Sequence, residues 1–184
     1  MKNEGRNGTG MEWVRDYIRD IPDFPKKGIV FKDITPLLMS PAPWRRVIDG
    51  LVERHKDDRV NKVVGIESRG FIFGAPLAYR LNCGFVPIRK LGKLPSDTLR
   101  ASYELEYGSA TVEIHRDSIQ SGERVLLIDD LLATGGTMAA SCQLVEQLGG
   151  NVVACSFLVE LSFLKGREKL AKYPIQSFVA YDKE

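Results

Sequence analysis

At 184 residues the chain is long enough for one domain with a substantial buried core. Its 26 Lys and Arg residues against 24 Asp and Glu leave a net charge of +2, which argues against a chain-wide polyanion-binding surface but leaves room for a local basic cleft. Cys83, Cys142 and Cys155 are odd in number, scattered and set among apolar or small residues, so they are expected as reduced core thiols with no metal-ligand spacing. With no secretory apolar region and no run of membrane-span length, a soluble, cytoplasmic protein is expected, free of internal repeats.

In chain order, Met1–Gly10 is polar and glycine-rich and is expected as a disordered tail, leaving residues 11–184 as one domain. Met11, Val14, Tyr17 and Ile18 share a helical face, and Pro22 and Pro25 end that pattern. Phe24–Lys32 reads as irregular, with Ile29, Val30 and Phe31 suited on periodicity alone to an edge strand. Pro43–Lys56 is an amphipathic helix with Trp44, Val47, Ile48, Leu51 and Val52 inward. His55 near its end is expected as a partly exposed partner of the helix dipole, with no acid to orient it.

Lys62–Ile66 suits a buried strand, followed by Glu67-Ser68-Arg69-Gly70 and a helix over Phe71–Leu81. A strand, turn and helix make an anion site, with Ser68 as hydroxyl and Arg69 as cation; a helix-capping serine and a surface arginine are the plainer alternative. Gly84–Ile88 is a third strand, and Arg89, Lys90 and Lys93 follow it, either a solvated loop or, beside two phosphate sites, a phosphate-binding cluster. Leu94–Gly108 reads as a long polar connection of the kind that often forms a lid. Ala110–Ile114 is a strand, and His115 lies in a polar stretch after it.

Arg124–Met138 carries the strongest signal. Val125–Ile128 suits a parallel strand buried on both faces, Asp129 and Asp130 follow where it would leave the sheet, and Thr134–Thr137 lead into a helix over Met138–Leu148 that Gly149 and Gly150 stop. A helix start presents unpaired N–H groups and the positive end of a dipole, and Gly135 and Gly136 let backbone approach an anion. Neither the dinucleotide fingerprint nor the Walker A pattern is present. Two carboxylates ahead of a phosphate loop make sense with a ribose between them, its hydroxyls on Asp129 and Asp130 and its 5-phosphate on the loop. Val152–Leu158 is another buried strand, Gly166–Ala171 a short helix and Ile175–Tyr181 a closing edge strand.

The run Asp-Asp-Leu-Leu-Ala-Thr-Gly-Gly-Thr-Met at Asp129–Met138 has the adenine-type form of the phosphoribosyl diphosphate motif, and the chain resembles the type I phosphoribosyltransferases in that adenine-type branch. Phe24–Leu38, Gly65–Phe71, Arg89–Pro95, Leu105–Gly108 and Val159–Arg167 agree in order, so the likeness covers residues 11–181. It implies an α/β fold with an open, mainly parallel twisted sheet flanked by helices, a small hood over about residues 11–38 and a flexible lid over about 94–110. It also implies transfer of the 5-phosphoribosyl group from phosphoribosyl diphosphate to adenine, giving AMP and diphosphate, by a homodimer that touches neither nucleic acid nor membrane.

By the same resemblance Glu106, Tyr107 and Arg69 are the catalytic residues, and Ala133, Thr134, Gly135, Gly136 and Thr137 hold the 5-phosphate. Asp129 and Asp130 hold the ribose, while Ser68, Arg69, Arg89, Lys90 and Lys93 hold the diphosphate. Backbone groups of Val30 and Lys32 read the adenine edge, with Phe31 and Leu161 on its faces. Mg²⁺ is expected on diphosphate, ribose and water oxygens rather than in a protein cage, and Glu67–Ser68 is where a cis peptide is expected. Two rivals stay open: a non-catalytic phosphoribosyl diphosphate sensor, and the same chemistry on xanthine or guanine.

Overall fold

A run of alternating apolar residues at Arg124–Leu132 lies at the middle of the molecule, sending Val125 and Leu127 to one face and Leu126 and Ile128 to the other, all fully buried. The computed structural model describes residues 11–104 and 108–183, so the expectations for residues 1–10 and for Glu106 and Tyr107 lie outside the described residues. After a 3₁₀ turn at Glu12–Tyr17, β1 (Arg19–Ile21) pairs antiparallel with β2 (Phe31–Asp33), and α1 (Thr35–Leu38) and α2 (Pro41–His55) follow. Then come β3 (Lys62–Ile66), α3 (Arg69–Leu81), β4 (Gly84–Lys90), β5 (Thr98–Glu104), β6 (Ser109–His115), β7 (Arg124–Leu132), α4 (Gly136–Gln147), β8 (Asn151–Leu161) and β9 (Ile175–Tyr181).

The seven-stranded sheet runs β5-β6-β4-β3-β7-β8-β9. β4, β3, β7, β8 and β9 are parallel, and the β5–β6 hairpin extends them antiparallel. Residues of α2 and α3 close one face around Phe73, Leu77 and Leu51; α4 closes the other around Met138, Leu144 and Val145. From β3 the chain steps to β4 on one side and later to β7 on the other. The carboxyl ends of β3, β4 and β7 therefore border the place where strand order reverses, which is where open α/β sheets bind ligands.

Several elements differ from the sequence reading. The helix expected over Met11–Asp20 is a six-residue 3₁₀ turn burying Val14, because the chain must turn out into β1. Ile29 and Val30 precede a strand rather than forming one, and β2 pairs with β1 in a separate ribbon instead of edging the main sheet. β7 and β8 run past their apolar cores, so Asp129, Asp130, Glu160 and Leu161 lie within strands. The stretch Thr98–Glu104 is a strand, not an irregular connection: Leu99, Ala101 and Tyr103 pack on the core while Thr98, Arg100, Ser102 and Glu104 face outward.

His55 is corrected most. It is 1 % exposed, with Nδ1 at 2.7 Å from Asp58 Oδ2 and Nε2 at 2.7 Å from Ser156 Oγ, so an acid does orient it. Burial pushes its pKa down against the pull of Asp58. A depressed histidine is neutral when folded, so the stability it contributes is whole above its unfolded value of about 6.5 and is lost as pH falls through its folded one. Melting curves between pH 7 and 5 should fall more steeply for wild type than for His55→Gln; parallel curves would refute the assignment.

Cys142 and Cys155 are buried, and their sulfurs lie 3.5 Å apart as thiols; contact with Cys155 and then burial push the Cys142 thiol up, which keeps it protonated. Among the described residues no helix is long and apolar enough to cross a membrane.

Candidate functional site

Two helix starts meet at the carboxyl edge. α3 begins at Arg69 after the cis Glu67–Ser68 peptide, and α4 begins at Gly136 after Gly135. Neither start has a side-chain cap, so the Ser68 hydroxyl is not a capping group; the Phe71 N–H bonds the Ser68 carbonyl, and the N–H groups of Arg69 and Gly70 and of the first turn of α4 are left for an anion.

The loop between β7 and α4 owes its path to two glycines. Gly135 has φ +78°, and a Cβ there would stand 2.5 Å from the Gly166 carbonyl oxygen; a Cβ on Gly166 would stand 2.3 Å from the Ala133 oxygen. The 3₁₀ turn Gly166–Leu170 therefore forms the floor under Ala133–Gly135. It is held by the buried Glu160 carboxylate, which accepts from Arg167 Nε at 2.6 Å, Arg167 Nη2 at 2.7 Å and Ser177 Oγ at 2.7 Å. Burial opposes ionisation of Glu160, but Arg167 and Ser177 together keep its pKa below the ordinary carboxylate value.

Asp129 and Asp130 sit deeper than a solvated strand end. Asp130 is 3 % exposed, with Oδ2 2.9 Å from Arg69 Nε in an ion pair, and its N–H donates to Asp129 Oδ1 at 2.9 Å. Burial and then the neighbouring Asp130 carboxylate push Asp129 well above its ordinary value. Burial also raises Asp130, with Arg69 pulling the other way. Gly70 allows this crowding, since a Cβ there would lie 2.7 Å from the Ile128 oxygen and 3.1 Å from Asp129 Oδ1.

A cavity of about 120 Å³ opens at this edge, lined by Glu67, Arg89, Lys90, Asp129 and Thr137, with Tyr103 closing it. Arg89 and Lys90 are the last residues of β4 rather than a loop after it. Arg89 is paired: Nη2 and Nε donate to Glu67 at 3.1 and 3.3 Å, and Nη1 donates to the Lys93 carbonyl at 3.0 Å. Burial works against the Glu67 charge, but Arg89 and the Lys90 N–H hold its pKa below the ordinary value. The Lys90 and Lys93 ammonium groups enter no salt bridge among the described residues, although the Lys93 charge helps hold Glu67 ionised.

The hood comes close through Phe31, whose ring centroid lies 5.3 Å from Arg69 Cζ and 5.2 Å from the Phe24 ring. The Lys32 side chain does not join the site. It is buried, paired with Asp20 Oδ1 at 2.8 Å and set 4.2 Å from the Tyr181 ring centroid, leaving only backbone for ligand contact. Val30 is half-buried just before β2, and Leu161 is half-buried at the end of β8.

Three contributors were not singled out from the sequence. Glu113, 1 % exposed, accepts from the Lys93 and Leu94 N–H groups at 2.9 and 3.0 Å and so fixes the basic loop. Burial opposes its charge, but these amides and Arg100 keep its pKa low. Glu67 neutralises Arg89, and Tyr103 meets Thr137. Glu113 sits in an alternating strand like any outward acid, and nothing local announces the loop that covers it; Glu67 could have been found as the acid inside Gly65–Phe71.

Comparison with known proteins agrees with this geometry. The family model described as "Phosphoribosyl transferase domain" matches residues 38–180. The adenine phosphoribosyltransferase of Roseiflexus sp. (strain RS-1) is 58% identical over 168 residues, covering 91% of this chain and 98% of that one. That of Koribacter versatilis (strain Ellin345) is 51% identical over 98% of this chain and 100% of its own. Among solved structures, the enzyme of the same name from Thermoanaerobacter pseudethanolicus ATCC 33223 superposes with a TM-score of 0.90 at 53% identity, covering 93% of this chain and 99% of that one. The Saccharomyces cerevisiae enzyme, complexed with an imino-altritol bisphosphate and adenine, gives 0.87 at 42% identity over 91% and 97%. With two uncapped helix starts, an aspartate pair and a basic strand end on one sheet edge, and with these likenesses spanning nearly the whole length, the chain belongs to the adenine phosphoribosyltransferase family.

Proposed function

We propose that this site transfers the 5-phosphoribosyl group of phosphoribosyl diphosphate to N9 of adenine, giving AMP and diphosphate. The observation that carries the reading is the pairing of two uncapped helix starts, α3 and α4, on either side of half-buried Asp129 and buried Asp130. An anion site at each end with hydrogen-bond acceptors between them suits a ribose bearing phosphate at both ends. Thr134, Gly135, Gly136 and Thr137, with Ala133, take the 5-phosphate; Asp129 and Asp130 take the ribose hydroxyls; Ser68, Arg69, Lys90 and Lys93 face the diphosphate, with Arg89 placed by Glu67.

Breaking the bond to diphosphate puts positive charge on the ribose and negative charge on the leaving group, so the chain's task is positioning and electrostatics. Arg69 stands between the two regions, ion-paired to Asp130 and stacked toward Phe31, and so links the sugar and base subsites. Phe31 stacks on the base with Leu161 on its other face, and the backbone of Val30 and Lys32 reads its edge. Glu106, with Tyr107 beside it, manages the adenine proton at N7.

Among the described residues no three His, Cys, Asp or Glu side chains converge on one point; of the two aspartates Asp129 lines the cavity, with Glu67, while Asp130 is engaged by Arg69. That donor set would fit a Mg²⁺ ion held mainly by diphosphate, ribose and water oxygens. Such an ion supplies charge neutralisation on the departing diphosphate. The exposed Met39, Ile72 and Tyr79 support a homodimer, and the reading has the enzyme in the cytoplasm, with the stretch over about residues 94–110 as the lid.

Incubation with phosphoribosyl diphosphate, Mg²⁺ and each purine in turn tests the reading: AMP from adenine is expected. No nucleotide from any base would favour a sensor, and guanine or xanthine nucleotide would change the base. Glu106→Gln should lower kcat by well over roughly tenfold with KM little changed, as for a lost general acid–base group; an unchanged kcat removes Glu106 from the chemistry.

The raised Asp129 gives a second check. Its proton must leave for the carboxylate to accept ribose hydroxyls, so phosphoribosyl diphosphate affinity should fall as pH drops through the raised value. Calorimetry in two buffers of different ionisation enthalpy should show proton release on binding that is smaller in Asp129→Asn; identical release in both proteins would reject it.

A further inference from the structure

We infer that Tyr103 is a further substrate-binding residue, its hydroxyl donating a hydrogen bond to the 5-phosphate of the bound nucleotide or sugar phosphate. The inference rests on the phosphoribosyl reading of the site and adds to it a contact from a different element, the edge strand β5.

Thr137 Oγ1 donates to Tyr103 Oη at 2.9 Å. A phenol has one proton to give and accepts through oxygen, so a Tyr103 that accepts from Thr137 still holds its own proton for another partner. Both residues line the cavity that also carries Asp129, Lys90 and Arg89, and Thr137 is in the first turn of α4, which has no side-chain cap. The unspent phenol proton therefore lies beside the place where an anion would meet the helix start. A phosphate oxygen is the acceptor that such a cluster of donors accommodates, since it can take several hydrogen bonds at once.

Gly136 gives an independent reason. Its φ is not positive, so backbone conformation does not demand glycine there. A Cβ at Gly136 would lie 3.0 Å from Tyr103 Cδ2, tighter than ordinary contact. The absence of a side chain lets the tyrosine ring rest directly on the first residue of the helix, which sets the distance of its hydroxyl from the anion site. Register does the rest: Tyr103 pairs with Ala110, and with Leu99 and Ala101 its ring packs on the core side of the hairpin.

Tyr103→Phe removes the hydroxyl and keeps the ring on Gly136. Calorimetric titration of wild type and variant with AMP, phosphoribosyl diphosphate, inorganic diphosphate and adenine separates the subsites, because only the first two carry a 5-phosphate. Kd for AMP and phosphoribosyl diphosphate should rise on the order of tenfold, as for a lost bond to a charged group, with diphosphate and adenine unchanged.

Unchanged AMP affinity overturns the contact, and so does equal weakening of all four ligands, which marks a merely structural ring. Wild type that binds neither AMP nor phosphoribosyl diphosphate overturns the reading of the site and this inference with it. Should the variant fold poorly, ¹³Cζ-tyrosine NMR of wild type decides: the Tyr103 resonance should shift on saturation with AMP and not with inorganic diphosphate, and a resonance that ignores AMP overturns the contact.

Discussion

Gly135→Ala is expected to weaken phosphoribosyl diphosphate binding by roughly a hundredfold or more, from the loss of two charge-assisted contacts. The residue has φ +78°, where a side chain costs about 1–2 kcal/mol. The new Cβ would also stand 2.5 Å from the Gly166 carbonyl oxygen, so the loop or its floor must move. Either shift turns N–H groups away from the 5-phosphate, and each such contact is worth about 1.5–3 kcal/mol. Gly122→Ala is the control, with φ +85° and nothing within 4 Å of its Cβ. It carries the backbone strain alone and should bind as wild type does. Equal affinities for the two variants by calorimetry would show that the contact with Gly166 does not shape the loop.

Glu160→Ala should give the largest loss of stability. Breaking a buried ion pair costs about 3–5 kcal/mol, but the Arg167 side chain is 43% exposed and can turn to water once freed. A discounted loss of roughly 2–3 kcal/mol corresponds to a melting temperature lower by about 5–10 °C at this chain length. The pH dependence has a definite sign. Glu160 has a folded pKa below its unfolded one, so its contribution is present above the unfolded value and lost as pH falls through the folded one. Wild type and Glu160→Ala should therefore converge in melting temperature toward strongly acidic pH and differ at neutral pH. A difference that does not shrink with acidification would assign the effect to packing rather than charge. Because Arg167 belongs to the 3₁₀ turn whose Gly166 underlies the phosphate loop, KM for phosphoribosyl diphosphate should rise with the loss of stability.

Much of this site was legible in the residues themselves. Val125–Leu132, the acid pair and the glycine turn form a continuous stretch in which strand, loop and helix start follow one another, so the local architecture can be read without distant partners. The Glu67–Arg69 turn was legible for the same reason. The β5 strand was legible in principle from Leu99, Ala101 and Tyr103 at every second position, although its polar partners read more readily as a connection.

Residues whose roles depend on distant partners could not be read this way. His55 meets Ser156 across 101 positions, Glu113 captures a loop some 20 positions earlier, and Thr137 meets Tyr103 across 34. The sequence by itself determined the parallel α/β plan and the two strand–turn–helix starts at one sheet edge, because each depends on periodicity and on glycine within a few residues. Only the tertiary structure decided which charges are already neutralised, which glycines serve contact rather than conformation, and which side chains reach the cavity. Burial and pairing are properties of surfaces brought together by the sheet, and a linear chain carries no record of which surfaces those will be.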